Sequence, residues 1–376
     1  MKNINFLSSL LFFLFFANTN FAETNSSFLE LVVAGDIFPS PSLLNSGIKK
    51  DGTRDYLPYY ENVESFIKKA DIAAAWFGGP VAGEGEKFSG YPLYNNPPEF
   101  IKAAIDTGFD IFFHTNHLLD QGIKGLLRTL KYFKSLGSVY LGAYSSMEES
   151  RQIYYIEKNG IRLAFLSYLY GVNVPIKVKK WMINCIDIKK IKSDIKKAKD
   201  EKADFIIVAL HWGTEYERFP SEEQKLMARE IAFAGADLIL GSHPHVIQPA
   251  EVITTTNSGG QIKKVFVIYS FGNFFSSQRN RYSDCGLMAR FQIEKNGNTT
   301  FLKKASYIPT WVKWSFNNKS NKYIIKILPI WKTKKEYITG NIECLSREEY
   351  NKMILAWDDT ISHLDNPSIP FMHEED

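Results

Sequence analysis

From position 29 to position 240 of this chain, short apolar runs with strand character alternate with amphipathic stretches of helical period. No other feature narrows the fold so far. Alternation sustained over about 200 residues predicts an α/β core in which helices cover a sheet. The strand runs are 29–34, 71–75, 110–113, 163–167, 205–210 and 238–240. Helices are predicted over 61–70, 98–107, 122–136, 187–202 and 221–234. Pro98 opens one of them and Gly108 closes it, while Ser221 has the character of an N-cap. The lysines of 187–202 read as a solvated face, and 81–98, rich in Gly, Tyr and Pro, as a long loop. After Lys264 strands take over, at 265–269, 287–294, 299–307 and 323–330, with Asn296-Gly297 as a hairpin turn. A late helix at 347–357 and a loose tail at 366–376 complete a β-rich C-terminal third.

The chain's 376 residues can bury a full core, and 45% hydrophobic with 23% charged residues is a globular composition. Neither an internal repeat nor a low-complexity linker divides it, which favours one elaborated domain over two. A net charge of +4 leaves no basic stripe for nucleic acid. At the N-terminus Lys2 precedes the apolar run 6–17, and Asn18, Thr19 and Asn20 follow. That run is shorter than the roughly 20 residues of a spanning helix. It reads as a secretory signal over 1–22, giving an exported protein: periplasmic, cell-surface or secreted, with a mature start near Glu23. Asn20 is not small, so an uncleaved membrane anchor is the alternative. The three cysteines, Cys185, Cys285 and Cys344, are an odd count with no C-x-x-C spacing, which argues against a thiolate metal site.

Chemistry collects just past the strands. The run 205–210 ends in His211-Trp212-Gly213, and 238–240 leads into Gly241-Ser242-His243-Pro244-His245. Open α/β sheets build their sites at the carboxyl ends of strands, and imidazole is the commonest metal ligand. In an extended segment His243 and His245 would face one side, stiffened by Pro244. Loop histidines bonded to carbonyls are the plainer alternative, weakened by His211 at an equivalent strand end. Asp36 follows the first strand and suits either a metal ligand or a turn cap. Asn116-His117 follows the third strand, where an amide oxygen can ligate and an imidazole can donate a proton. Taken alone the dipeptide also fits a satisfied polar turn. His114 reads as structural and Asn273 as a turn residue. Asp237 and Glu251 are candidates to orient an imidazole. Glu215 and Glu217 either line the cleft or face solvent.

Six segments together resemble the bacterial capsule-synthesis family typified by the poly-γ-glutamate protein CapA. They are Gly35-Asp36, 89–95 (SGYPLYN), 116–120 (NHLLD), 207–216 (IVALHWGTEY), 235–251 (GADLILGSHPHVIQPAE) and 269–274 (YSFGNF). The resemblance covers about residues 29 to 310. It implies a four-layer α/β/β/α sandwich of the metallophosphoesterase type over 27–335, with 336–376 as a C-terminal helix and tail. It also implies one or two divalent metal ions (Mn, Fe, Zn or Mg) held by Asp36, Asn116, His211, His243 and His245, with His117 as the acid or a phosphate contact. The implied substrate is an anionic polymer or a phosphoester, and the implied partners are membrane-bound capsule synthesis proteins. One position departs from the pattern. The family's Asn-Leu-Glu before Gly-Pro is here Trp76-Phe77-Gly78 before Gly79-Pro80, so a bridging carboxylate is missing. Glu84 and Glu86 lie nearby at a different spacing. Two readings follow: a metal-dependent hydrolase in capsule or envelope-polymer synthesis, or a non-catalytic accessory protein that binds an anionic polymer through a degraded site. A nuclease is the third.

Overall fold

The alternation of apolar positions along each strand settles which layers can form. A computed structural model describes residues 26–374 apart from 82, 84, 86, 257–259, 319–321 and 341–344. The segment 1–22 read as a signal, Glu84, Glu86 and Cys344 therefore lie outside the described residues. In chain order the strands are β1 (Ser26–Ile37), β2 (Ile72–Phe77), β3 (Ile111–Phe113), β4 (Val139–Leu141), β5 (Tyr154–Lys158), β6 (Ile161–Leu169), β7 (Phe205–His211), β8 (Leu238–Ser242), β9 (Ile247–Thr256), β10 (Ile262–Phe271), β11 (Asn273–Phe275), β12 (Cys285–Asn296), β13 (Thr299–Asn317), β14 (Lys322–Pro329) and β15 (Phe371–His373). One sheet runs β14-β13-β12-β1-β2-β3-β4, with β11 beside β1 and β15 beside β13. The other runs β5-β6-β7-β8-β10-β9.

Successive side chains of a strand point to opposite faces. Ile72, Ala74 and Trp76 of β2 therefore share one core with Phe205, Ile207 and Ala209 of β7. Ala73, Ala75 and Phe77 face the other way, onto Phe100 and Ile101 of helix Pro98–Thr107 and Leu126 and Phe133 of helix Gly122–Ser135. Ile206, Val208 and Leu210 pack on helices Ile188–Asp200 and Glu222–Ala234 through Ile191, Ile195 and Ile231. The four layers expected, α/β/β/α, are what the chain forms. Each large apolar side chain fully buried in them contributes about 1.5–3 kcal/mol. Helices Ile330–Ile338 and Arg347–Leu364 close the β-rich end, placing Met353, Ala356 and Trp357 in the inter-sheet core.

Three expectations need correcting. The helix expected over 61–70 is one short turn, Glu64–Lys68. The strand expected at 323–330 stops at Pro329, and Ile330 starts a helix. The tail is not loose: β15 pairs in parallel with β13, and Phe371 packs its ring 5.0 Å from Phe266 and 4.6 Å from Tyr307. Among the described residues no helix is long and apolar enough to cross a membrane.

Both sheets bring the carboxyl ends of their parallel strands to one seam. There the chain passes from β10 to β11 through Gly272 (φ 66°), and β11 pairs with β1 at Asp36↔Asn273. The Asp36 N–H donates to the Gly272 carbonyl at 3.0 Å. A Cβ on Gly35 would lie 2.2 Å from that same oxygen, so only glycine lets the backbones approach this closely.

Candidate metal centre

The seam gathers the side chains that the strand ends suggested. Asp36, near the end of β1 and 2% exposed, accepts from Ser242 Oγ of β8 at 2.6 Å. Its other oxygen lies 3.2 Å from His245 Nδ1. His211 ends β7, and its ring centroid is 4.8 Å from that of His243. The His243 and His245 rings are 6.0 Å apart. Asn116, beyond β3, presents Oδ1 3.0 Å from His211 Nε2. Asp36, Asn116, His211, His243 and His245 thus converge from both sheets.

The histidine pair gets there by a different route from the one expected. His243 (φ 103°) and His245 (φ 59°) both have left-handed backbones, so the segment is a bend and not an extended strand. Such conformations cost about 1–3 kcal/mol each and persist only where surroundings hold them. Here the Tyr216 N–H grips the Pro244 carbonyl between them at 2.8 Å.

Burial decides the protonation of the inner imidazoles. It holds His211 well below its ordinary value, with the neighbouring histidines adding to the effect. It brings His243 down to about 4, helped by His245 and opposed by Asp36. Burial also works against the charged form of His245. Asp36 by contact and charge, with Glu215 and Asn273, outweighs it and raises that group. His245 Nδ1 faces Asn273 Oδ1 at 3.1 Å, which leaves its Nε2 for a ligand. At 3.2 Å the Asp36 contact is an electrostatic pair and not an aligned hydrogen bond. Accordingly Asp36 Oδ2, His211 Nδ1 and His243 Nδ1 are all buried with no hydrogen-bond partner among the described residues.

A hydrogen-bonded chain runs outward from this centre. The Asn116 amide donates to Asn173 Oδ1 at 2.8 Å and to the Tyr170 hydroxyl at 3.2 Å, which turns Oδ1 toward His211. The Asn173 amide nitrogen lies 3.0 Å from His117 Nε2. His117 Nδ1 donates to Asp120 Oδ2 at 2.7 Å, and that oxygen also accepts the Tyr94 N–H. His114 is structural as read, with Ser167 Oγ and the Asn184 carbonyl on its two nitrogens. Asp237 and Glu251 orient no imidazole. Asp237 accepts from the Ile206 N–H and pairs with Lys263, while Glu251 accepts from Tyr269. Asn273 is no mere turn residue, since it lies in β11 and buttresses His245. Asn173 and Tyr170 carried no sequence signal. Asp120 did, standing three residues after His117 within the 116–120 segment.

Glu215 and Glu217 are both exposed, and of the two Glu215 lines the cleft. One carboxylate oxygen of Glu215 and one nitrogen each of His243 and His245 all lie within 4.8 Å of one another. Gly78, just past β2, lines the same cleft, together with Phe38, Tyr91, Tyr94 and Tyr216. Trp76 does not reach it: strand alternation sends that ring inward against Phe113 and Phe271. Among the described residues no lysine or arginine lines the cleft.

Residues 30–278 match the family described as bacterial capsule synthesis protein PGA_cap. The capsule biosynthesis protein CapA of Bacillus anthracis is 29% identical over 281 residues, covering 72% of this chain and 65% of that protein. The PGA biosynthesis protein CapA of Bacillus subtilis (strain 168) is 29% identical over 248 residues, covering 64% and 63%. The chain thus matches somewhat less than two thirds of either relative's length. Among solved structures it is similar to the NAD nucleotidase of Haemophilus influenzae, with a TM-score of 0.47 and 13% identity over 93% of this chain and 57% of that one. It is similar also to the calcineurin-like phosphoesterase YfkN of Bacillus subtilis, with a TM-score of 0.42 and 14% identity over 90% and 99%.

Proposed function

The chain belongs to the bacterial capsule synthesis protein family, and from that premise we propose that it is a metal-dependent hydrolase serving the synthesis or handling of a capsule or envelope polymer of the poly-γ-glutamate type. The observation that carries the hydrolase reading is the set of orphaned atoms at the seam. A buried polar atom without a partner costs about 1–3 kcal/mol, and three of them, Asp36 Oδ2, His211 Nδ1 and His243 Nδ1, lie among the converging site residues. Nitrogen and carboxylate donors of this kind suit a divalent cation. Asp36, Asn116, His211, His243 and His245 would hold it. Bound there, the ion supplies Lewis-acid polarisation and a nucleophile at neutral pH.

The chain's own residues do the rest. Asp120 fixes the His117 ring through Nδ1, and Nε2, which faces the Asn173 amide, would deliver a proton to a leaving group once it is protonated and released from that amide. Asn173 ties that imidazole to Asn116, so proton donor and ligand keep one spacing. With no cationic side chain on the described cleft wall, positive charge complementary to an anionic polymer would have to come from an ion held by these residues. The bare Gly78 favours a second reading, an accessory protein that binds such a polymer without cleaving it. Export, by a cleaved signal or with a retained anchor, and engagement of membrane-bound synthesis proteins belong to the same proposal.

The test is to count metal ions per chain by mass spectrometry, then assay poly-γ-glutamate and a generic phosphodiester with added manganese. His117→Gln should lose about 10²–10⁴-fold in turnover and keep its metal. His211→Ala should lose both. Metal without hydrolysis of either substrate would favour the accessory reading, and a chain that binds no metal would defeat the hydrolase reading.

A further inference from the structure

We propose that Glu215 is a metal ligand, completing a three-donor site with His243 and His245 and supplying from the second sheet the carboxylate that the first sheet lacks at Gly78. The inference rests on the reading of the seam as a metal centre and adds to it a residue and a direction of approach. Two independent observations meet in it. One is distance: a donor atom from each of the three residues lies within 4.8 Å of the other two. The other is the state of His243, which is 4% exposed with Nδ1 unpartnered.

The first sheet has no room for the carboxylate it lacks. A Cβ at Gly78 would stand 2.8 Å from the Phe38 Cβ, an atom fixed to the backbone just past β1. The Phe38 ring lies 4.9 Å from that of His245. The opposite wall is open to a donor and holds it firmly. Trp212 Nε1 donates to the Tyr269 carbonyl at 3.0 Å. The Tyr216 N–H holds Pro244 at 2.8 Å, and Gln278 Nε2 donates to the Tyr216 hydroxyl at 3.2 Å. Gln248 Nε2 donates to the Glu217 carbonyl at 2.8 Å. Glu215 therefore sits between anchors on both sides, one of them the histidine bend itself. Among the described residues the lining of the cleft offers no lysine or arginine to draw its carboxylate away.

Glu215→Gln tests this, because it keeps the shape and removes the charge. Full-length protein stripped with chelator and dialysed would be titrated with Mn²⁺ and with Zn²⁺ by calorimetry, alongside thermal melts without metal. The variant should lose one ion per chain or weaken binding by roughly tenfold or more. Its metal-free melting temperature should match that of the native chain, since Glu215 is exposed and holds up no packing. Glu215→Asp should fall between the two. Equal stoichiometry with affinity within about twofold for native protein and Glu215→Gln would overturn the inference while leaving the metal centre standing. A native chain that binds neither ion would overturn the inference and the centre together.

Discussion

Gly35 and Gly78 are both bare at the seam, for different reasons. At Gly35 the obstacle is backbone: a methyl group would sit 2.2 Å from the Gly272 carbonyl oxygen, which cannot move without parting β1 from β11. Gly35→Ala should therefore lower stability by about 1–3 kcal/mol or more, read as a fall in melting temperature and in soluble yield. At Gly78 the obstacle is the first methylene of Phe38. Gly78→Glu should then leave metal content unchanged or lower it, and a rise in ions per chain would show that Phe38 yields more readily than its place beside β1 suggests. Asn173 is exposed and bridges His117 and Asn116, so Asn173→Ala should cost about 10–100-fold in kcat with KM and melting temperature little altered. The candidate donors were legible in the sequence because each follows an apolar run: Asp36, Asn116, His211 and His243 all stand at or beyond strand ends. Asn173 and Tyr170 were not, because their loop is brought to the centre only by folding. The sequence also misjudged how His243 and His245 come together, since a left-handed bend leaves no mark in a period-two pattern.

At the scale of elements, what could be read followed hydrophobic period. The helix Pro98–Thr107 with its Gly108 cap appears as expected, and Ser221 caps its helix with a full capping box to Gln224. Ser221→Ala should cost about 1 kcal/mol in chemical denaturation. Edge strands were harder to see. β9 contains Pro249 and polar residues, which an edge tolerates but a pattern search discards. β15 was hidden in a polar, Pro-containing stretch because one side chain, Phe371, carries its packing. Phe371→Ala should then destabilise the whole fold by about 3–5 kcal/mol, and a loss under about 1 kcal/mol would mean the tail is dispensable. Glu374 beside it pairs with Arg290 of β12, so the tail is held by charge as well as by burial.

For the whole molecule, the centre is made from both sheets at once. Asp36 comes from one, and His211 and His243 come from the other. An ion at 100 times its dissociation constant would stabilise the folded state by about 2.7 kcal/mol. Chelation should lower the melting temperature accordingly, and re-addition of the same ion should restore it. The hydrogen bond from Ser242 to Asp36 is already a protein-only clasp between the two halves, and the β10–Gly272–β11 passage is a covalent one. An ion beside them would act as a third clasp, a removable cross-link at the place where the halves meet. Amide hydrogen exchange should then speed up on β1 and β8 together when the ion leaves, although the two strands belong to different sheets. The same linkage runs in reverse: a change deep between the layers that shifts one sheet against the other should be felt as a change in ion affinity, with no donor touched.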